Sequence, residues 1–232
     1  VAREALKTAR VVVGYTTYMD LVEPELLKGK EIVSTGMRGE IQRCRAAVRH
    51  CSEGRDTALI SSGDAGIYGM AGLALEILEE EGLTQRVDVE VLPGIPALAA
   101  AAALLGAPLM HDFAVVSLSD LLTPWDTISR RIEAAAMADF VIVIYNPRSR
   151  KREGQLAEAL RLILDHRRPT TPVGLVRNAC REGESVSVSS LADLDLSRVD
   201  MLSILIVGNS TTRILGGRMV TPRGYLDKYP TD

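Results

Sequence analysis

No apolar run in this 232-residue chain approaches the roughly 20 residues that a membrane-spanning helix needs. The richest stretch, residues 97–105, is short and alanine-rich and predicts a buried helix. Cysteine is scarce, with only Cys44, Cys51 and Cys180. An odd count without close pairs argues against a disulfide framework and against zinc or iron–sulfur ligand spacings, so no metal is expected. Cys44 and Cys51 fall seven apart in a helical pattern with Ile41 and Val48, which reads as small core residues of a protein kept reduced in the cytoplasm. A dominant charge is lacking too: 27 Lys and Arg against 30 Asp and Glu leave a net charge of −3, which argues against a nucleic-acid partner met by a broad basic face. There is no Walker-type loop, no G-x-G-x-x-G after a strand and no acidic residue about 20 positions beyond one, which disfavours a nicotinamide-dependent dehydrogenase. Low-complexity segments and short repeats are absent. The sequence opens Val1-Ala2-Arg3-Glu4, without a signal-peptide pattern or an initiator Met.

What is present is ordinary in bulk, 47% hydrophobic and 25% charged. Apolar, β-branched runs at 11–13, 32–33, 58–60, 89–92, 114–116, 141–144, 173–176 and 204–207 predict strands. Helical patterns fill 20–28, 40–52, 68–81, 96–105, 126–137 and 153–165. Such alternation predicts an α/β protein with mostly parallel sheet, and Gly82 is placed to end the third helix. Gly106-Ala107-Pro108 punctuates the middle, dividing the chain into domains 1–107 and 108–232. The first half shows four strands where about five strand–helix units fill a sheet, so either that sheet is small or a strand lies upstream.

Several apolar runs end in glycine or polar sequences, the most informative being Ser61-Ser62-Gly63-Asp64-Ala65-Gly66-Ile67-Tyr68-Gly69 between a strand and a helix. The others are Gly14-Tyr15-Thr16-Thr17-Tyr18, Pro93-Gly94-Ile95-Pro96-Ala97, Ser117-Leu118-Ser119-Asp120, Tyr145-Asn146-Pro147 and Arg177-Asn178-Ala179. Open α/β sheets bind ligands beyond the carboxyl ends of their strands, and the recurrence points to a crevice lined by these loops rather than to unrelated turns. Asp64 suits a ribose or ammonium group, or else caps the following helix.

At these residues the chain resembles the tetrapyrrole methylase family, and within it the branch that methylates C17 of precorrin-3B. The match runs through Val11-Val12-Val13-Gly14-Tyr15-Thr16-Thr17-Tyr18, Ile60 to Met70, His111-Asp112-Phe113, Ser117 to Trp125, Tyr145-Asn146-Pro147-Arg148-Ser149, Arg177-Asn178-Ala179, Arg181-Glu182-Gly183-Glu184 and Gly208-Asn209-Ser210. The resemblance implies two α/β domains of the class III methyltransferase type, with cofactor and substrate in the cleft between them. It implies a homodimer, S-adenosylmethionine as methyl donor and a small-molecule tetrapyrrole as substrate, methylated with ring contraction in cobalamin biosynthesis. It also implies that a strand and a Gly-Pro-Gly loop precede residue 1. Carried over loop by loop, Ser62, Gly63, Asp64 and Ile67 hold the cofactor's methionine and ribose part, Pro96 and Ala97 line the same pocket, and Asn146, Ala179 and backbone near Ser203 meet the adenosine end. Relatives often have proline at Ala65 and two threonines at Ser203 and Ile204; both departures fall where backbone groups make the contacts.

Methyl transfer needs placement more than a strong base, whereas ring contraction needs a proton moved. Asp120 and His111 are the leading catalytic candidates, ahead of Asp112 and Tyr145. Ser117, Ser119, Arg148, Arg150 and Arg177 are expected to meet substrate, because arginine forks suit its carboxylates; Lys151, Arg152, Arg181 and Arg38 extend that basic set. His50 and His166 read as surface residues, the methionines as packing, and Trp125 as a core anchor in preference to a macrocycle platform. Specificity for C11 or C20, or a non-catalytic binding role, stands as the alternative, and the sequence does not separate a cobalt-containing from a metal-free substrate.

Overall fold

The computed structural model of the chain describes residues 1–149, 152 and 154–229. It divides into two compact units, Val1–Pro96 and Ala97–Asp232. The division falls ahead of Gly106-Ala107-Pro108 because the alanine-rich helix belongs to the second unit's core, where Ala101 and Leu105 are buried with Val141, Val143, Val176 and Met219.

The first unit runs α1 (Ala2–Thr8), β1 (Val11–Tyr15), α2 (Thr16–Met19), α3 (Pro24–Leu27), β2 (Glu31–Thr35), α4 (Glu40–Ser52), β3 (Thr57–Leu59) and α5 (Ala71–Glu80). Its sheet is parallel, in the order β2-β1-β3. Val11, Val12 and Val13 are fully buried, as a central parallel strand requires. Helix α4 packs Cys44, Ala47 and Val48 inward at helical spacing. Burial pushes the Cys44 thiol up to about 11, so it is an inert core group, while Cys51 is half-buried. Two expectations fail here. Residues 89–92 join no sheet, so the unit has three strands, not four. Val89 and Val91 are exposed; an apolar pattern makes a strand only where a neighbouring backbone accepts its hydrogen bonds. His50 is buried, not on the surface, with Nε2 3.6 Å from Glu31. It follows Ala47 by one helical step, and polarity alone hides that it shares the buried face.

The second unit runs α6 (Ala97–Leu105), β4 (Gly106–Ala107), β5 (Phe113–Ser117), α7 (Trp125–Met137), β6 (Val141–Tyr145), α8 (Gln155–Leu164), β7 (Pro172–Arg177), β8 (Ser185–Ser190), a 3-10 turn (Leu196–Arg198), β9 (Ser203–Val207), β10 (Arg213–Leu215), β11 (Arg218–Val220) and α9 (Tyr225–Lys228). Its main sheet has the order β5-β6-β9-β7-β8 and is mixed, since β9 runs against both its neighbours and β8 against β7. The expectation of mostly parallel sheet therefore holds for the first unit and not for this one. A small sheet β10-β11-β4 lies beside it in sequence. Strand β6 is buried on both faces: Ile142 and Ile144 meet α7 and α8 through Ile128, Ile132, Leu156, Ala159 and Ile163, and Val141 and Val143 meet α6. The spacing of Leu156, Ala159, Leu160 and Ile163 gives α8 one apolar stripe. Trp125 packs at the edge of this core and donates from Nε1 to Glu158 at 2.9 Å, the anchor role rather than a platform. His166 is exposed, as expected.

Gly82 ends α5 as the sequence predicts. It has φ 66°, its N–H donates to the Glu79 carbonyl, and the Leu83 N–H donates to the Leu78 carbonyl. Leu83 then packs against the cluster containing Leu78, completing the motif. A Cβ at Gly82 would meet no atom within 4 Å, so the cost of adding one lies in the left-handed backbone alone. Gly82→Ala is expected to lower stability by about 1 kcal/mol, read as a lower Tm with unchanged far-UV circular dichroism; an unchanged Tm would show that the helix end is not fixed by this residue.

Candidate functional site

Among the described residues, six other than glycine have positive φ: Arg38, Tyr68, Asp139, Asn146, Asn178 and Cys180. All but Asp139 lie on loops that follow the carboxyl ends of strands, where backbone strain marks functional sites more often than elsewhere. The exception follows α7, where the Asp139 carboxylate holds the Ser210 N–H at 3.0 Å and pairs with Arg167 at 3.1 Å. Burial lowers the Arg167 pKa.

In the first unit these loops close on themselves. Asp64 accepts from the N–H of Gly66 at 2.8 Å and of Gly94 at 2.9 Å. The Gly94 bond, then those of Gly66 and Ile67, hold its carboxyl below the ordinary carboxylate range. The side chain therefore clips the loop after β3 to the segment 93–96 instead of capping α5, whose N-cap is Met70. The Met70 N–H instead finds Ser61 Oγ at 3.2 Å. Gly94 is obligatory in this arrangement, since a Cβ there would stand 1.9 Å from the Gly63 carbonyl oxygen. Ile67 is 38% exposed, and Gly63 has φ 71°. Backbone thus comes close to backbone with no side chain between, which suits recognition of a small polar molecule by main-chain groups. Arg43, itself buried, donates to Thr35 Oγ1 at 2.7 Å and to the Gly36 carbonyl at 2.9 Å, and its guanidinium lies 5.6 Å from the Tyr15 ring centroid.

In the second unit the strand registers put several candidates at one end of the sheet. Ser117 pairs with Tyr145, Arg177 pairs with Ser203, and β9 joins β6 to β7. Ser117 Oγ accepts from Ser119 N–H at 3.2 Å and from Asn146 Nδ2 at 2.9 Å, so three candidates form one network. Ala179 lies between the left-handed Asn178 and Cys180. Ser203 Oγ donates to Asp200 at 2.9 Å. His111 is not brought to this end. It precedes β5 (Phe113–Ser117), whose four steps span about 13 Å at about 3.3 Å per residue, and so lies beyond the far end of that strand from Ser117; its Nδ1 accepts from the Asp112 N–H at 2.9 Å. Tyr145 reaches the start of α6, its hydroxyl accepting from Leu98 N–H at 2.9 Å, next to Ala97 and following Pro96 in the chain. That is a capping role.

Two of the arginines expected to meet substrate also have partners within the protein. Arg148 Nη1 donates to the Leu196 carbonyl at 3.1 Å, and Arg177 Nε donates to Asp200 at 2.7 Å. Burial works to raise the Asp200 carboxyl, but hydrogen bonds from Arg177, Ser203 and the Leu202 N–H outweigh it and leave it lowered. Arg150 and Lys151 lie outside the described residues. Asp120 has both oxygens engaged, with Arg152 Nε at 3.6 Å and Gln155 Nε2 at 3.1 Å. Beyond it, Leu121 and Leu122 are 75% and 93% exposed, an apolar tip on a polar loop. Among the described residues no group of three or more His, Cys, Asp and Glu converges as a metal site.

Sequence reasoning missed Arg43, which lies on a helix outside the candidate loops. Gly94 was read as part of a ligand-lining turn and Arg152 as one of a basic set for substrate carboxylates, without sign of the close backbone approach of the one or the protein partners of the other.

A family model described as Tetrapyrrole (Corrin/Porphyrin) Methylases matches residues 1–195. Over 224 residues the chain is 54% identical to a protein of Salmonella typhimurium named probable cobalt-factor III C(17)-methyltransferase, covering 97% of this chain and 92% of that one. The crystal structure of the methyltransferase CobJ superposes with a TM-score of 0.89 at 35% identity, over 94% of this chain and 91% of that one. A uroporphyrin-III C-methyl transferase from Thermus thermophilus, complexed with S-adenyl homocysteine, gives 0.62 at 26% identity over 89% of each chain. The chain spans 92% of the length of the Salmonella relative but 42% of another curated relative.

The lowered Asp64 carboxyl fixes a pH dependence. Its stabilisation is fully present above the unfolded value of about 3.9 and is lost as pH falls through the lower folded value. Asp64→Asn is therefore expected to lower Tm at pH 7, with the gap to wild type closing below about pH 4. A gap that does not change with pH would mean that the clip does not depend on the charge.

Proposed function

We propose a function from one plain fact: this chain belongs to the tetrapyrrole (corrin/porphyrin) methylase family. It transfers a methyl group from S-adenosylmethionine to C17 of precorrin-3B or its cobalt form, with ring contraction, in cobalamin biosynthesis. The observation that carries this reading is the 54% identity, over nearly the whole of both chains, to a relative whose name specifies C17 and cobalt-factor III. The same name favours the cobalt-containing substrate.

The methyl donor is assigned to the loops described above. Its methionine and ribose part is assigned to Ser62, Gly63, Asp64 and Ile67, where the Asp64 clip presents main-chain groups in a fixed array. Pro96, Ala97, Asn146, Ala179 and the start of β9 at Ser203 are assigned to the rest. S-adenosylmethionine supplies a methyl group made electrophilic by its sulfonium; carbon–sulfur cleavage leaves a neutral thioether as the new carbon–carbon bond forms. The protein's part is alignment, and a rigid loop set supplies it without reorganisation. Ser117, Ser119, Arg148 and Arg177 are assigned to the macrocycle. Arg148 and Arg177 keep further N–H donors beyond the bonds described above, since a guanidinium carries five. Exposed Leu121 and Leu122 suit the apolar face of a tetrapyrrole. Of the two proton-transfer candidates, Asp120 stands with this group and His111 does not. The homodimer implied by the family belongs to the same proposal.

The test is an incubation with S-adenosylmethionine and either cobalt-factor III or precorrin-3B, followed by absorbance and product mass. A product one methyl heavier with a changed chromophore, formed faster from the cobalt substrate, is the expected result. Binding of S-adenosylhomocysteine without turnover of either substrate would rule out C17 specificity. Gly94→Ala is expected to weaken S-adenosylhomocysteine binding at least about tenfold, or about 1.4 kcal/mol, in titration calorimetry.

A further inference from the structure

Arg152 is bound on every side by protein. Its backbone exchanges hydrogen bonds with Ser149, N–H to carbonyl at 3.1 Å and carbonyl to N–H at 3.2 Å, which fixes the root of the side chain. From there Nη1 donates to the Leu118 carbonyl at 2.7 Å and to the Asn146 carbonyl at 3.0 Å. Nε faces Asp120 at 3.6 Å, and Nη2 lies 3.8 Å from the Met201 sulfur. The side chain is only 12% exposed. One guanidinium therefore touches the loop after β5, the loop after β6 and the segment leading into β9. Two of its targets are carbonyls of backbone that leaves the sheet, one of them belonging to left-handed Asn146. Those carbonyls have turned away from the ladder and need donors from elsewhere, and only a planar fork with donors on both sides can serve three segments at once.

We infer that Arg152 is a positioning residue that locks these three segments into one rigid rim, and that it does not bind a carboxylate of the substrate. The link to turnover rests on the methyl-transfer reading; the link to loop rigidity does not. The rim holds Ser117, Ser119, Asp120 and Asn146 in fixed relation, so loosening it disturbs substrate and donor alignment together. Lysine is no substitute. Its ammonium can reach the two carbonyls but has no second arm for Asp120 and Met201.

Hydrogen exchange read by mass spectrometry on the full chain tests this directly. The reporters are the amides of Leu118, bonded to the Tyr145 carbonyl, Ser119, bonded to Ser117 Oγ, and Leu202, bonded to Asp200. In Arg152→Ala all three are expected to exchange at least about tenfold faster, a local opening cheaper by about 1.4 kcal/mol, while residues 142–144 and 204–206 stay protected. Arg152→Lys is expected to release Leu202 and to spare Leu118 in part; it carries the same comparison should the alanine variant fail to fold. Methyl transfer by Arg152→Ala is expected to fall at least about tenfold in kcat, and to recover with added ethylguanidinium but not ethylammonium. Faster exchange in one segment only, or equal loss of protection in the sheet, overturns the inference. So does unchanged exchange with a raised KM for the tetrapyrrole, which would mean that the guanidinium meets substrate. If the wild type turns over no tetrapyrrole, the proposed function fails, and the exchange comparison still decides the role of Arg152.

Discussion

Backbone that leaves a sheet must find hydrogen-bond partners without the ladder, and everything that points to function here depends on how that need is met. In the first unit the Asp64 carboxylate collects N–H groups from Gly66, Ile67 and Gly94. In the second the Arg152 guanidinium collects carbonyls from Leu118 and Asn146. The two solutions have opposite charge because the stranded groups have opposite polarity. Each charge is used within the protein to hold a loop in place, and well-fixed loops are what alignment of two reacting atoms requires.

The cores explain how such loops can be strained. Strands β1 and β6 are buried on both faces, and β9 has no exposed residue. Their ends are therefore fixed points, and the cost of left-handed Tyr68, Asn146 and Asn178 is met by packing elsewhere in the same unit. Asp139 shows the same logic away from the loops, tolerating φ 61° where its carboxylate holds Ser210 and the buried Arg167.

Much of this was legible in the chain. Alternating apolar runs and helical spacing located nearly every long element, because burial leaves a periodic mark on composition. The strings around Ser61-Ser62-Gly63-Asp64 and Tyr145-Asn146-Pro147 located the loops, because few residue types tolerate left-handed backbone. Three readings could not be made that way. Residues 89–92 have the composition of a strand but no partner in the sheet, and pairing is a property of two segments. His50 is polar yet buried, because its helix face is set by neighbours. Arg148, Arg152 and Arg177 read as a basic set for substrate carboxylates, and composition does not show that each also has a partner in the protein 23 to 49 positions away.

The sequence by itself determined the class of fold, the position of the loops and the family, because these depend on local pattern and on identity along the chain. Only the tertiary structure decided what the charges do. The Asp64 carboxylate clips two loops, the Arg152 guanidinium reaches three segments, and His111 and Asp120, nine residues apart in the chain, fall toward opposite ends of one strand. Hydrogen bonds are short and directional, so their partners follow from distance in space, which separation along the chain does not encode.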